Sequence, residues 1–286
     1  MFKKGERVKH PLMPDWGLGQ VLEDCPGDQV KVFFVDGGPR TISLKHVELV
    51  KVSDTEAENV VLDYLADSAS LEGVTHFSFP AALELFCKEF PQGFYDEKYM
   101  EHERNYKIDA HLMMLDQLDR QEFQRLLDNK EFDEIRRRVV RLLSKTNMLS
   151  PHDHMNLGDA LKEPENQRRF ATELYDFLYS EEPIESRFST FARVLEEMNG
   201  GKWTVISFLL FMRYPKEFMF LKPSVTEHVC KVMGFEIGYS PELKWTTYSR
   251  LLTLSKELMK RLDSKQPRDM IDVQSFMWVI KPGTYQ

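Results

Sequence analysis

Cysteine is scarce in this sequence. Cys25, Cys87 and Cys230 are its three copies in 286 residues, they lie far apart, and no CxxC pair exists, so neither a zinc knuckle nor a disulfide framework is signalled. Three reduced thiols are expected, with Cys87 and Cys230 in core helices, because free cysteine buries readily. Long apolar runs are missing too. The longest, Val205 to Met212, falls well short of the roughly 20 residues that span a bilayer, so no membrane partner is expected. Met1 to Glu6 lack the apolar stretch of a signal peptide, and a cytoplasmic location is expected. Familiar catalytic signatures are also lacking: no P-loop, Rossmann fingerprint, HExxH, GxSxG or zinc-deaminase motif. Neither a cofactor nor a metal is implied, no catalytic residue is nominated, and the sequence points away from a conventional enzyme.

What is present is ordinary globular material, 42% hydrophobic and 29% charged, enough for a sizeable core. Net charge is −8, unevenly placed. Residues 1–52 hold eight Lys/Arg against seven Asp/Glu, a balance of +1, so the rest carries −9. An acidic body repels phosphate at long range, which disfavours nucleic acid as a partner of the whole chain.

The first 52 residues read as strands. Val30 to Val35 is β-branched and aromatic, closed by the turn Asp36-Gly37-Gly38-Pro39, and Arg40 to Leu44 answers it as a hairpin partner. Trp16 to Leu22 is a strand entered through glycines, and Cys25-Pro26-Gly27-Asp28 is a further turn. Four or five short strands joined by tight turns suggest a small closed barrel, with Val8, Val21, Val30, Val32 and Phe34 inside. The period then changes. Ser53-Asp54-Thr55-Glu56 reads as a capping box opening a helix through Val60, Val61, Tyr64 and Leu65. Leu71 to Ser78 reads as a loop. From there to Val279 the pattern is helical throughout, punctuated by Pro151, Pro164, Pro183, Pro215, Pro223 and Pro267, with Gly200-Gly201 and Gly234 as stops. The predicted architecture is α+β and multidomain: a barrel over 1–52 and an all-helical domain over 53–286.

Gly5, Val8, His10, Pro11, Trp16, Gly17, Gly19, Gln20 and Val21 resemble the opening of a bacterial Tudor-like, SH3-like barrel family. That family includes the polymerase-interacting domains of CarD and of transcription-repair coupling factors, and the C-terminal barrel of UvrD/PcrA helicases. The form His-Pro-x-x-Pro-x-Trp-Gly-x-Gly-Gln-Val is most similar to a short variant of this domain. The resemblance covers about 50 residues and implies protein binding, with RNA polymerase or a repair component as the partner class. The loop between His10-Pro11 and Trp16 is longer than in CarD-type domains, so the partner does not carry over directly. Trp16, His10, Lys9 and Arg40 are the candidate partner-binding residues. Trp16 reads either as a rim contact or as a plug for the barrel end, and His10 either as a ligand or as a structural turn histidine before Pro11.

In the helical part, His152-Asp153-His154 follows Ser150-Pro151. Helical ligands need i, i+3 or i+4 spacing, so a helix start with Asp153 at its positive end is favoured over a metal site. Glu101-His102-Glu103-Arg104 has no second copy that would complete a carboxylate-histidine metal site, and reads as a solvated helix face. Arg136, Arg137, Arg138 and Arg141 read as salt-bridge partners of the abundant acids rather than as a phosphate contact. The C-terminal stretch, apolar around Ile271, Phe276, Met277 and Trp278, is similar to a module of uncharacterised bacterial proteins, some associated with defence genes. There Asp269 and Asp272 read as helix caps. Alternatively, Lys222, Trp245, Tyr248, Asp272 and Gln274 line a polar ligand pocket.

Three functions follow. The leading one is a non-enzymatic adaptor whose barrel docks on a protein. The alternatives are a nucleic-acid-associated defence or repair factor, and a small-ligand sensor or unrecognised enzyme using the C-terminal pocket.

Overall fold

The structure, a computed structural model, describes residues 1–67, 71 and 78–285. The loop expected between Leu71 and Ser78 falls, apart from its ends, outside them. Five strands come first: β1 (Arg7–Lys9), β2 (Leu18–Val21), β3 (Gln29–Phe34), β4 (Gly38–Ser43) and β5 (Val50–Val52). They form one antiparallel sheet in the order β4-β3-β2-β1-β5. Alternation decides its faces. Val8, Val21, Val30, Val32, Phe34 and Ile42 are buried together with Phe2, Cys25 and Leu49. The five interior residues expected from the pattern are all among them. Gly17, at φ +70°, turns the chain into β2, and a side chain there would meet Val35 Cγ2 at 2.7 Å.

A short helix, α1 (Val60–Asp63), follows the sheet. The capping box expected at Ser53 does not form. The Ser53 hydroxyl bonds instead to the Asp54 carboxylate at 3.2 Å, and Asp54 has φ 56°. The cap belongs to Asn59, whose side chain accepts the Val61 and Leu62 amides at 3.0 and 3.2 Å. Among the described residues, eleven longer helices follow: α2 (Phe79–Glu89), α3 (Asn105–Gln117), α4 (Arg120–Asp128), α5 (Phe132–Leu143), α6 (Pro151–Ala160), α7 (Pro164–Tyr179), α8 (Ile184–Glu197), α9 (Trp203–Arg213), α10 (Pro223–Met233), α11 (Trp245–Arg261) and α12 (Met270–Val279). A helical turn, Glu97–Tyr99, and a π-helical turn, Met100–Arg104, lead directly into α3. No named strand occurs after β5 among the described residues, only the isolated bridge Leu65↔Phe235. None of the described helices is long and apolar enough to cross a membrane.

The chain divides into two compact units. One comprises Met1–Pro91, Ser224–Ile237 and Met277–Gln286. In it the sheet is joined by α1, α2 and most of α10. Phe33, on the sheet face opposite the Val30–Val32–Phe34 cluster, is 1% exposed. Its ring lies against Gly234 just past α10, where an added Cβ would come within 2.4 Å of Phe33. Arg7 also pairs with Asp63 of α1 at 2.6 Å. The other unit comprises Gln92–Pro223 and Gly238–Phe276. Its core is aromatic, with Phe177 stacked on Phe191 at 4.6 Å and Phe188 on Tyr248 at 5.1 Å. Helix α9 is buried from Trp203 to Met212, as its unbroken apolar run requires. Phe276 and Met277 are buried as expected, whereas Trp278 is only half-buried.

Candidate functional site

Of the residues proposed from the barrel resemblance, His10, Trp16 and Arg40 come together, whereas Lys9 pairs with Glu56 instead. Between β1 and β2 the chain runs through Pro11-Leu12-Met13 into a one-turn helix, Pro14–Trp16. The His10 ring packs edge-on to Trp16 at 4.9 Å and to Phe34 at 6.3 Å, and Trp16 lies 5.3 Å from Phe34. This triad is ordinary aromatic packing, apolar area plus a favourable edge-to-face term. The backbone of Gly37 closes its underside, where a Cβ would sit 2.6 Å from the indole. His10 is 7% exposed, and its Nδ1 accepts the Leu12 amide at 3.3 Å. It therefore behaves as the structural turn histidine rather than as a surface contact. Trp16 is half-buried, so it serves both as packing for Phe34 and as a partly open face. The Arg40 guanidinium lies over that indole, 5.3 Å from its centroid, and donates to the Pro39 carbonyl at 3.0 Å.

Two exposed apolar side chains of the sheet segment lie in this loop, and the sequence reading overlooked them. Leu12 is 71% exposed and Met13 40%. Their signal was two large apolar residues held between Pro11 and Pro14. By contrast, the lysines of the segment are largely matched. Lys9 pairs with Glu56 at 2.9 Å, Lys31 with Glu23 at 3.4 Å, Lys45 with Asp28 at 3.0 Å and Lys51 with Glu6 at 2.6 Å.

The β4 edge of the sheet offers little to an added strand. The Leu44 amide donates to the Asp28 carbonyl. With the β3–β4 register, that phase turns the backbone groups of Ile42, Arg40 and Gly38 toward β3 and those of Thr41 and Ser43 outward. Pro39, between them, has no N–H. The Ser43 carbonyl already accepts from His46 and Val47.

A second polar constellation lies in the helical unit, and most of its members were not nominated. Arg104 Nη2 meets Asp269 Oδ2 at 2.7 Å, and its Nη1 meets Asp272 Oδ1 at 2.8 Å. Tyr99 Oη donates to the same Asp272 oxygen at 2.6 Å, and the Arg268 amide and Nε donate to its other oxygen at 2.8 and 2.9 Å. Beside them Lys107 Nζ bonds Glu103 at 3.0 Å and Ser275 Oγ at 2.7 Å. Asp272, Tyr99 and Ser275 are 0% exposed and Lys107 1%. Burial alone would raise the Asp272 carboxyl. The bonds from Arg268 and Tyr99 and the charge of Arg104 outweigh it and hold Asp272 below the usual aspartate value. Burial pushes the Lys107 ammonium down, partly opposed by Glu103. The Tyr99 hydroxyl is raised well above its ordinary value by burial and by Asp272.

This arrangement corrects the solvated-face reading of Glu101-His102-Glu103-Arg104. Glu103 and Arg104 are 3% and 7% exposed. The π-helical turn turns both into the protein, where carboxylates at the start of the last helix satisfy the arginine. His102 and Glu101 alone match the expectation, exposed and 3.9 Å apart.

The supposed polar pocket resolves into separate roles. Asp269 caps α12, accepting the Ile271 amide at 3.0 Å. Asp272 is bonded by Tyr99, Arg104 and Arg268, and among the described residues no hydrogen bond joins it to Lys222 or Tyr248. Lys222 donates to the Met148 carbonyl at 3.2 Å and Tyr248 to the Met219 carbonyl at 2.8 Å. Trp245 packs 6.0 Å from Tyr248. Gln274 is 4% exposed, with Oε1 unbonded among the described residues.

Most of the remaining candidates follow their structural readings; Arg141 makes no ion pair among the described residues, and Cys87 and Cys230 sit half-buried on α2 and α10 while Cys25 is buried. Ser150 and Asp153 form a capping box at the start of α6, and no group of His, Cys, Asp and Glu among the described residues is placed to hold a metal. Arg136, Arg137 and Arg138 pair with Asp133 and Glu134, and Arg138 also with Glu122. The three thiols are free, and burial raises that of Cys230 to about 12.

Residues 2–52 match the family described as "Protein of unknown function (DUF3553)". The DUF3553 segment thus coincides with the five-stranded sheet and stops at the last residue of β5. No curated protein and no solved structure matches the chain.

Proposed function

We propose that the DUF3553 segment is a Tudor/SH3-like docking module that binds a protein through the Leu12–Met13 loop and the Trp16–Arg40 platform, and that the chain as a whole is a non-enzymatic adaptor. Leu12 carries this reading. A leucine 71% exposed, on a loop pinned between prolines and backed by a packed His10–Trp16–Phe34 triad, is apolar surface with little left to order on binding. The half-open Trp16 on the same loop, with Arg40 over its face, supplies the side-chain types that dominate interface energetics. The partner class suggested by the barrel resemblance is the transcription or repair machinery. The blunted β4 edge favours side-chain docking over strand addition. Nucleic acid is the weaker reading because Lys9 and Lys31, exposed cations of the sheet, are already paired with Glu56 and Glu23. A ligand pocket at Asp272 is disfavoured because that carboxylate is already saturated by protein donors.

The test is affinity capture with the full chain, in wild-type and Leu12→Ser forms, alongside DNA titration at two salt concentrations. Leu12 faces solvent, so the serine variant should fold normally yet lose its specific protein partner, weakening binding by about 2 kcal/mol if Leu12 is a hot spot. Trp16→Ala should weaken it at least as much, but it also uncovers Phe34, so it is the less discriminating variant. Tight, strongly salt-dependent DNA binding with no protein captured would reject the adaptor reading.

A further inference from the structure

Arg40 differs from the other ion-forming cations of the sheet. Arg7, Lys9, Lys31, Lys45 and Lys51 each have a carboxylate within 3.4 Å. Arg40 is exposed, and among the described residues its side chain contacts only the Pro39 carbonyl and the Trp16 face. Asp15, one residue from Trp16, makes no ion pair with it. A guanidinium held over an indole face, with Nη1 tied to the Pro39 carbonyl, is partly pre-oriented and keeps further N–H donors for a partner. A carboxylate meets such a fork with two parallel hydrogen bonds, a geometry that lysine does not supply. Leu12 and Met13, on the same β1–β2 loop as Trp16, add an apolar contact to that charged one.

Resting on the docking reading above, we infer that the segment recognised is an acidic–apolar stretch of a partner protein: an Asp or Glu that pairs with Arg40, next to a large apolar side chain that covers Leu12 and Met13. Charge complementarity selects this occupant. The sheet segment is close to neutral, at +1, and its other ion pairs are internally closed. Among the described residues Arg40 is the cation over the Trp16 face, and it has no carboxylate partner, so it sets the sign of what can dock there without the multi-lysine field a nucleic-acid backbone would require. Like charge brought against Arg40 would be rejected, which makes it a specificity residue as well as a contact.

The test is selection of a displayed library of random 12-residue peptides on the immobilised full chain, followed by direct titration of the enriched peptides. The expected result is enrichment of sequences with Asp or Glu next to Leu, Ile, Phe or Met. Arg40→Glu, at an exposed position, should leave the fold unchanged by circular dichroism and weaken these peptides by about tenfold or more. Changing the peptide's acid to Lys should restore binding to Arg40→Glu and not to wild type. Loss of binding in Leu12→Ser, with Arg40→Glu unaffected and no acid enriched, would overturn the acidic-partner inference while leaving the docking site standing. Indifference to both substitutions would remove both. A wild-type dimer in sedimentation that Arg40→Glu abolishes would reassign the occupant to a second copy of the chain.

Discussion

Desolvating a carboxylate is costly, and Asp272 is fully buried. It persists because Arg104, Arg268 and Tyr99 supply donors to both oxygens. Removing its charge while leaving two arginines in place converts a satisfied network into an unpaired one. Asp272→Asn should therefore cost about 3–5 kcal/mol, the range for breaking one partner of a buried pair. Replacing the carboxylate and Arg104 together by apolar residues should cost less than the sum of the two single changes. The pH dependence has a definite sign. The folded carboxyl titrates below its usual value near 3.8, so its contribution is complete above that pH and is lost as pH falls from there through the lower folded value. Urea midpoints at pH 6 and pH 3 should show a large gap between wild type and Asp272→Asn at the first and a smaller one at the second. An equal gap at both would remove Asp272 from the acid response.

The elements legible from sequence were those whose signal is local. Ser150-Pro151 with Asp153 announced α6 and its cap, and the apolar run through Met212 announced a buried α9, because capping and periodicity act within a few residues. The β3–β4 hairpin was legible for the same reason. What was missed depends on distant residues. Ser53 satisfies the capping-box pattern, but Asp54 adopts φ 56° and the helix waits for Asn59. The polar run at Glu101–Arg104 looks solvated on any helical wheel. Its burial needs a π turn and carboxylates 165 residues away. The proposed docking platform was half legible: Trp16 and Arg40 were named, whereas Leu12 and Met13 were not, since apolar loop residues declare themselves only when nothing covers them. Gly17 tests the local half of this argument. Its φ of +70° and the 2.7 Å approach of Val35 leave no room for a side chain, so Gly17→Ala should cost about 1–2 kcal/mol from the backbone alone, with more from the clash. Equilibrium urea unfolding read at the tryptophans is the measurement. An unchanged midpoint would mean that the β1–β2 entry turn is not built on that conformation.

At the scale of the molecule, the change of period after Val52 and the end of the DUF3553 match fall together, yet the compact unit that holds the sheet extends to Pro91 and takes in Ser224–Ile237 and Met277–Gln286. Three contacts within that unit tie the sheet to residues beyond Val52. Phe33 is buried on the back of the sheet against Gly234. Arg7 pairs with Asp63, and Lys9 with Glu56. The two surface ion pairs contribute little, but uncovering a fully buried phenylalanine costs roughly 2–3 kcal/mol in apolar transfer. A fragment of residues 57–286 should therefore keep most of its helical circular dichroism, because Gln92–Pro223 and Gly238–Phe276 retain their own aromatic core. Helices α2 and α10, deprived of the sheet, should melt earlier, so calorimetry of the fragment should resolve two transitions. Residues 1–56 alone, with Phe33 open to water, should bind a hydrophobic dye and unfold with little cooperativity. One sharp transition for residues 57–286 at the temperature of the full chain would instead make the sheet a self-contained domain ending at Val52, with Phe33 contributing little to its unit.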